Sequence, residues 1–382
     1  MASLLVDLLC PSCRRSFSDV PARSYCLECS RTLLARYDME AAKEKMTRAR
    51  LRGRPGDLRR FEEILPIRSA QARVSLGETE TPIVRVSDPE LAPGGELLVK
   101  MDGYLPTGTF KARGMAIAVS KAKELGQRSL FVPTAGNAGA ALAAYAARGG
   151  LRSLVYMPES APEAARHQVE LYGGELCTVP GHIGDAGRIG REEAARRGAF
   201  DVSTLREPWR AEGKKTMGLE MFWALGREGM PSAIMYPTGG GTGLLGMHRA
   251  FSQLREMGWL HDFPRLYAAQ AEGCAPVVEA LRRGRERIAP VAAPKTSAAG
   301  LRVPAPFSSE DILAAVRATK GGGVAVPEEA IEPSARRFMG LHGLSVARET
   351  GAALGGLKIL REEGAIDRQE RVLVYNTGLW MG

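Results

Sequence analysis

The sequence has no apolar run approaching the roughly 20 consecutive residues needed to cross a bilayer, so no membrane span is expected. The opening stretch MASLLVDLLCPSC has no basic leader and is interrupted by Asp7. It does not read as a signal peptide, and a cytoplasmic location is expected. Internal repeats and low-complexity tracts are also missing, which sets aside a repeat architecture. The arginine-rich patches RARLRGRPGDLRR (residues 48–60) and RRGRER (residues 282–287) lack interleaved aromatics, and 43 acidic residues are dispersed along the chain. No nucleic-acid surface is expected from them. They read as a solvated face, with a net charge of +9 that favours phosphorylated small molecules in a general way.

What is present suits a globular protein. At 382 residues, with 45% hydrophobic and 25% charged residues, the chain holds two ordinary domains and a small appendage. Four of the six cysteines, Cys10, Cys13, Cys26 and Cys29, form C-x2-C, twelve residues, C-x2-C. Two such knuckles place four thiolates around a tetrahedral centre, the geometry of structural zinc. Disulfides are a poor reading for a chain with no export signal; free thiols on a decayed ribbon are the plainer alternative. Cys177 and Cys274 stand alone and read as small buried hydrophobes.

The stretch PTGTFKARG (residues 106–114) places Lys111 behind a small, hydroxyl-rich turn and at the head of an apolar helical run. Backbone N–H groups and the positive helix end there lower a lysine's proton affinity, which suits an amine that forms a Schiff base with a carbonyl. A solvated charge at a helix start is the bland alternative. A second turn, PTAGNAGAALAAYAARGG, covers residues 133–150, and a third, PTGGGTGLLG, covers residues 237–246. The third follows the strand-like AIMY (residues 233–236) and precedes a helical pattern. Strand, glycine cluster and helix make a nest of N–H groups for phosphate. No Gly-Lys-Ser/Thr follows it, and the dinucleotide spacing is missing, so it is neither common nucleotide loop. The glycines of GHIGDAG (residues 181–187) also miss that spacing, and this segment reads as a turn.

Lysine turn, Gly-Asn turn, glycine loop and a late Asn-Thr-Gly, in that order, resemble the pyridoxal-phosphate enzymes of fold type II, and among them the threonine synthase family. SLGETETPIVRV (residues 75–86), DVSTLREPWRAEGKKTMGLE (residues 201–220), QAEGCAPVVEA (residues 270–280) and VLVYNTG (residues 372–378) are similar to family segments, so the resemblance covers nearly the whole chain. It implies an α/β fold of two parallel-sheet domains, tryptophan-synthase-β-like, plus a small N-terminal four-cysteine zinc ribbon of a kind many relatives carry.

Short apolar runs agree with that. Strands are expected at residues 97–101, 130–133, 153–158, 176–179, 233–236, 266–270, 324–326 and 371–376, with helices between most of them. Alternation of this sort argues for parallel sheets covered on both faces, and their number for two sheets with the cofactor between them. The expected organisation is a zinc-ribbon-like segment over 1–38 and a helical linker and lead-in to a large domain over 39–110. A smaller α/β domain over 111–215 and a larger one with the phosphate loop over 216–382 follow. One charged helix is expected over 39–52. The Pro/Ala-rich segment 288–306 is expected to be a loop and a candidate for lining the site.

The resemblance implies roles. Lys111 would hold the aldehyde of pyridoxal phosphate and then act as general base at the substrate Cα. Gly239, Gly240, Gly241, Thr242 and Gly243 would hold the cofactor phosphate. Asn137 would meet its ring hydroxyl; a helix N-cap is the alternative, and both can hold. Thr377 would set a neutral hydroxyl against the pyridine nitrogen, favouring elimination and replacement over transamination; a strand-end turn is its alternative. Backbone N–H groups of Thr134, Ala135, Gly136 and Asn137 would meet the substrate carboxylate. Ser203, Arg210, Lys214 and Lys215 are candidates for a substrate phosphate; exposed charges on a loop and helix are the alternative reading of the three cations.

Some residues depart from the family pattern. Ala112 and Arg113 follow the lysine where many threonine synthases have Asp-Arg. Ala138 and Gly139 stand where many have Thr-Ser, and Leu379 and Trp380 replace a glycine-containing continuation. The reaction expected first is O-phosphohomoserine and water to threonine and phosphate. Alternatives are replacement on another activated amino acid, as in cysteate synthesis from phosphoserine, and a threonine or serine ammonia-lyase. A zinc-ribbon regulator on a degenerate scaffold would need neither Lys111 nor the glycine loop. A small amino acid is thus the expected partner, and a homodimer the expected assembly.

Overall fold

The computed structural model describes residues 3–20 and 25–380. The chain forms two compact units, one from Met1–Glu80 with Lys111–Thr216, the other from Thr81–Phe110 with Met217–Gly382.

In the first unit a parallel sheet runs in the order Glu175–Val179, Arg152–Pro158, Ser129–Pro133, Phe200–Asp201. Leu130, Phe131 and Val132 are all fully buried, so both faces of the central strand are covered, as uninterrupted apolar strands require. The crossover helix Asn137–Gly149 is alanine-rich, which favours helix and permits close packing. Gly139 uses that closeness: a Cβ there would lie within 2.8 Å of Val155, Met157 and Thr134 atoms. The GHIGDAG segment is a helix start. His182 caps Ile183–Arg196 in a capping box with Asp185. Cys177 lies on the edge strand and is only partly buried, whereas Cys274 is buried; the expectation for Cys177 fails because its strand has a neighbour on one side only.

A small antiparallel sheet precedes this, with Leu5–Leu9 between Ser16–Phe17 and Leu34–Tyr37. The single helix expected over 39–52 is two, Met39–Lys45 and Arg48–Arg52. Asp38 caps the first, and the Thr47 hydroxyl accepts the Arg50 N–H at 3.3 Å to start the second. The basic patch that follows is not wholly a solvated face. Glu63 is fully buried and draws in Arg54, with N–O distances of 2.7 and 2.5 Å, because a buried carboxylate needs a paired donor.

The second unit holds a six-stranded sheet in the order Gly322–Val326, Arg265–Ala271, Ala233–Pro237, Val372–Asn376, Leu97–Met101, Ile83–Val86. All neighbours are parallel except the last pair. Helix Arg348–Glu362 lies on it through Gly355 and Gly356, where added Cβ atoms would press on Val326 and Val324. All eight strand segments expected from the sequence are present; Ile83–Val86, Phe200–Asp201 and the three strands of the small N-terminal sheet are additional among the described residues. Among the described residues no helix is long and apolar enough to cross a membrane.

Candidate functional site

The glycine loop sits where strand Ala233–Pro237 gives way to helix Thr242–Glu256. Gly241 caps the helix in the left-handed region (φ 70°), where a side chain is disfavoured and would also press on Ile312. A Cβ at Gly239 would fall on the Gly300 carbonyl, so segment 288–306 does line this loop. Among the described residues, the amides of Gly239, Gly240, Gly241, Thr242 and Gly243 meet no backbone acceptor. Five donors at the positive end of a 15-residue helix make an anion cradle. Gly243 packs on the ring of buried Tyr236. Gly243→Ala should therefore cost about 1–3 kcal/mol by overpacking, read as a lowered midpoint in thermal or urea unfolding. An unchanged midpoint would show that the ring can yield.

At the end of the neighbouring strand Val372–Asn376, residues 377–379 pair with 108–110 in a short ladder. Phe110 N–H donates to the Thr377 carbonyl (2.9 Å), Thr109 bridges Gly378, and Leu379 N–H donates to the Gly108 carbonyl (3.1 Å). Thr377 is buried. Asn376 braces the turn: its Oδ1 accepts from the Thr350 hydroxyl (2.8 Å), and its Nδ2 donates to the Ser345 carbonyl (3.1 Å). Sequence reading missed this brace, although Asn376 lies inside VLVYNTG. It missed a polar cluster beneath as well. The Tyr375 hydroxyl and the Thr81 hydroxyl both donate to Asp102 (2.8 and 2.7 Å), and Lys100 pairs with Glu220 at 3.0 Å, all buried. The rings of Phe110, Tyr236 and Tyr375 stack edge to face above it, and burial holds the Tyr236 hydroxyl well above its ordinary pKa. Lys100 inside LLVKM was the one available signal, a lysine within a buried strand.

Within the first unit, helix Lys111–Glu124 opens on Lys111, which is half-buried. One turn on, a Cβ at Gly114 would meet the Arg210 backbone at 3.3 Å and Lys214 Cε at 3.5 Å. A Cβ at Gly213 would fall on the Arg113 carbonyl. Two glycines thus let helix Trp209–Gly229 press against the Lys111 helix, and Arg113 donates to the Thr216 hydroxyl across the contact (2.9 Å). Arg210, Lys214 and Lys215 are buried, which overturns the reading of them as exposed charges. The buried Glu207 carboxylate caps this helix, accepting from the amides of Trp209 (2.6 Å) and Arg210 (3.1 Å). Burial pushes Glu207 up to about 7 and lowers Arg210. Arg210 also donates to the Val202 carbonyl at 2.8 Å. Lys215 pairs with Glu212 (2.6 Å), donates to the Ile64 carbonyl and lies 4.2 Å over the Tyr37 ring. Ser203 is buried and hydrogen-bonded to Asp201.

The Gly-Asn turn belongs to the same unit. The Thr134 hydroxyl accepts the Gly136 N–H (3.0 Å), Gly136 caps at φ 153°, and Asn137 is the first helical residue. The cap is therefore glycine and not Asn137, because only glycine adopts that backbone readily. The amides of Ala135, Asn137 and Ala138 meet no acceptor among the described residues, a second place for an anionic group.

The four N-terminal cysteines converge, with their sulfurs all within 4.8 Å of one another. Each pair sits in the same turn. Cys10 N–H donates to the Arg15 carbonyl and Arg14 N–H to the Cys10 carbonyl; Cys26, Ser30 and Arg31 repeat this. Arg14 (φ 61°) and Ser30 (φ 50°) hold the matching left-handed positions. A tetrahedron with metal–sulfur bonds of about 2.3 Å has edges of about 3.8 Å, and Cys13 and Cys26 stand 3.9 Å apart. The donor set fits zinc.

Comparison with known proteins agrees with these features. A family model described as "Pyridoxal-phosphate dependent enzyme" matches residues 74–378. The threonine synthase of Methanocaldococcus jannaschii is 32% identical over 97% of this chain and 91% of its own. That of Methanosarcina acetivorans is 28% identical over 98% and 91%. Among solved structures, maize serine racemase superposes with a TM-score of 0.70 at 19% identity, covering 82% of this chain and 92% of its own, a likeness of fold.

Proposed function

The chain belongs to the pyridoxal-phosphate-dependent enzyme family as a lyase like the threonine synthases, and on that premise we propose that it converts O-phosphohomoserine and water into threonine and inorganic phosphate. What supports this reading is the likeness to threonine synthases over nearly the whole chain. Arg210 and Lys214 also lie against the helix that opens on Lys111, which brings two cations of the family-like segment beside that lysine.

The residues fit the cofactor, since the five unpaired loop amides match a phosphate dianion. When bound, pyridoxal phosphate supplies an electron sink for charge developing at substrate Cα and Cβ. Gly239, Gly240, Gly241, Thr242 and Gly243 would hold its phosphate, Asn137 its ring hydroxyl, and Thr377 its ring nitrogen. The amides of Ala135, Asn137 and Ala138 would orient the substrate carboxylate; those of Thr134 and Gly136, expected to share in this, already donate to the Tyr156 carbonyl and the Thr134 hydroxyl. Lys111 Nζ would accept the Cα proton. A Cβ proton is lost next, phosphate leaves Cγ with the electron pair of the C–O bond, water adds its hydroxyl at Cβ, and protons return to Cγ and Cα. Ser203, Arg210 and Lys214 would bind the leaving phosphate, whereas Lys215 is already paired with Glu212.

Steady-state assays on O-phosphohomoserine, phosphoserine, serine and threonine side by side test this. The expected result is phosphate and threonine from phosphohomoserine, with kcat/KM lower by about 10–200-fold for the phosphate ester one methylene shorter. Ammonia and a keto acid from threonine, with phosphohomoserine inert, would replace the synthase reading by the ammonia-lyase one. Preferred turnover of phosphoserine would point to replacement at Cβ.

A further inference from the structure

The N-terminal ribbon touches the segment that carries Ser203 and Arg210, and does so from the base of its second cysteine knuckle. Tyr25 and Thr32 close that knuckle as an isolated antiparallel bridge flanking Cys26 and Cys29. Thr32 is fully buried, and its hydroxyl donates to the carbonyl of Leu205. The guanidinium of Arg206 lies 5.6 Å from the Tyr25 ring centroid. Leu205 itself is buried and left-handed, with φ 59°. A branched, bulky side chain keeps that backbone only where its surroundings impose it. The turn is tight, with Arg206 N–H donating to the Ser203 carbonyl at 3.1 Å. Further along, the ribbon's Tyr37 donates to Glu212 at 2.7 Å and underlies Lys215. Both ends of segment 203–215 are therefore gripped by ribbon residues.

We propose that Thr32 is a positioning residue for substrate recognition: through the Leu205 carbonyl it imposes the strained turn that places Ser203 and Arg210 for the substrate phosphate. The ribbon is then part of the specificity apparatus and not an inert appendage. Thr32 acts through Leu205 and has no part in proton transfer at Cα. This inference rests on the reading of Ser203 and Arg210 as phosphate ligands.

The test is Thr32→Val in the full-length holoenzyme, with Thr32→Ser as the conservative variant. Loss of one buried hydrogen bond should raise KM for O-phosphohomoserine about five- to tenfold, with kcat, visible absorbance and metal content unchanged. Thr32→Ser should restore the wild-type KM. Leu205→Gly, added to Thr32→Val, should recover part of the loss, since glycine adopts this turn without being held. Hydrogen exchange of the 201–216 peptide should quicken in Thr32→Val, and protection of that peptide by inorganic phosphate should weaken. Should the wild-type enzyme leave phosphohomoserine untouched, the proposed reaction fails on its own account, and the exchange measurement with inorganic phosphate still decides the role of Thr32. Unchanged exchange and phosphate protection in Thr32→Val would overturn the inference. So would kcat falling in parallel with metal content, or a KM defect that Leu205→Gly does not reduce.

Discussion

Lys111→Ala is expected to lower kcat by roughly 10³-fold or more, the scale of losing a positioned general base, and to abolish cofactor labelling of the peptide that begins at residue 111. Borohydride reduction of the wild-type protein should fix the cofactor to that peptide alone and bleach its colour. The fold should tolerate the change. Lys111 is half-buried at the first position of its helix, and alanine is the best helix former. The ladder that leads into it, from Phe110 to Thr377 and from Leu379 to Gly108, is made by backbone groups that the substitution leaves alone. A neighbouring lysine is a poor substitute. Lys121, on the same helix, is fully buried and paired with Asp19 (2.8 Å) and Glu124. Lys111→Arg keeps the charge but has no amine to join an aldehyde, so it should be equally unlabelled. A reducible label that persists in Lys111→Ala would move the cofactor linkage to another residue.

What could be read beforehand follows from how local each determinant is. The strands of both parallel sheets announce themselves because burial on both faces demands uninterrupted apolar residues, as in Leu97–Met101 and Val372–Asn376. The glycine loop and the Gly-Asn turn were visible because backbone approach to an anion requires small residues. Phe200–Asp201 was not, since two residues carry no periodicity. The division of one helix at Thr47 turned on a single hydroxyl competing for an amide, which charge patterning does not reveal. The alternative reading of Arg210 and Lys214 as exposed charges stood beside their candidacy for a substrate phosphate for a related reason. Their burial depends on Gly114 and Gly213, about a hundred residues apart in sequence, meeting where two helices touch. The brace of Asn376 by Thr350 is likewise a long-range contact between unremarkable residues.

The last expected result concerns the cysteines. Cys10→Ser combined with Cys26→Ser should reduce bound zinc from about one per chain to near zero, because tetrahedral thiolate sites need all four sulfurs and replacing two removes half the donor set. These two are the better choice because both are buried and their amides anchor the knuckles. Burial pushes the Cys10 thiol up to about 12, whereas the amide of Arg15 draws Cys13 down to about 7. Without metal, Cys10 would therefore sit protonated in the core of the ribbon. Binding the ion removes that proton, which is how metal binding and folding of such a small segment come to be coupled. The ribbon's own sheet is small, with strands of five, two and four residues. Hydrogen exchange of residues 3–20 and 25–37 should accordingly rise toward the unfolded rate in the double variant. A saturated thiolate site has no open position for substrate, so borohydride labelling at Lys111 should survive. Metal content that stays at one per chain in the double variant would place the zinc elsewhere. A wild-type protein with no metal and a protected ribbon would show that the knuckles fold by their backbone hydrogen bonds alone.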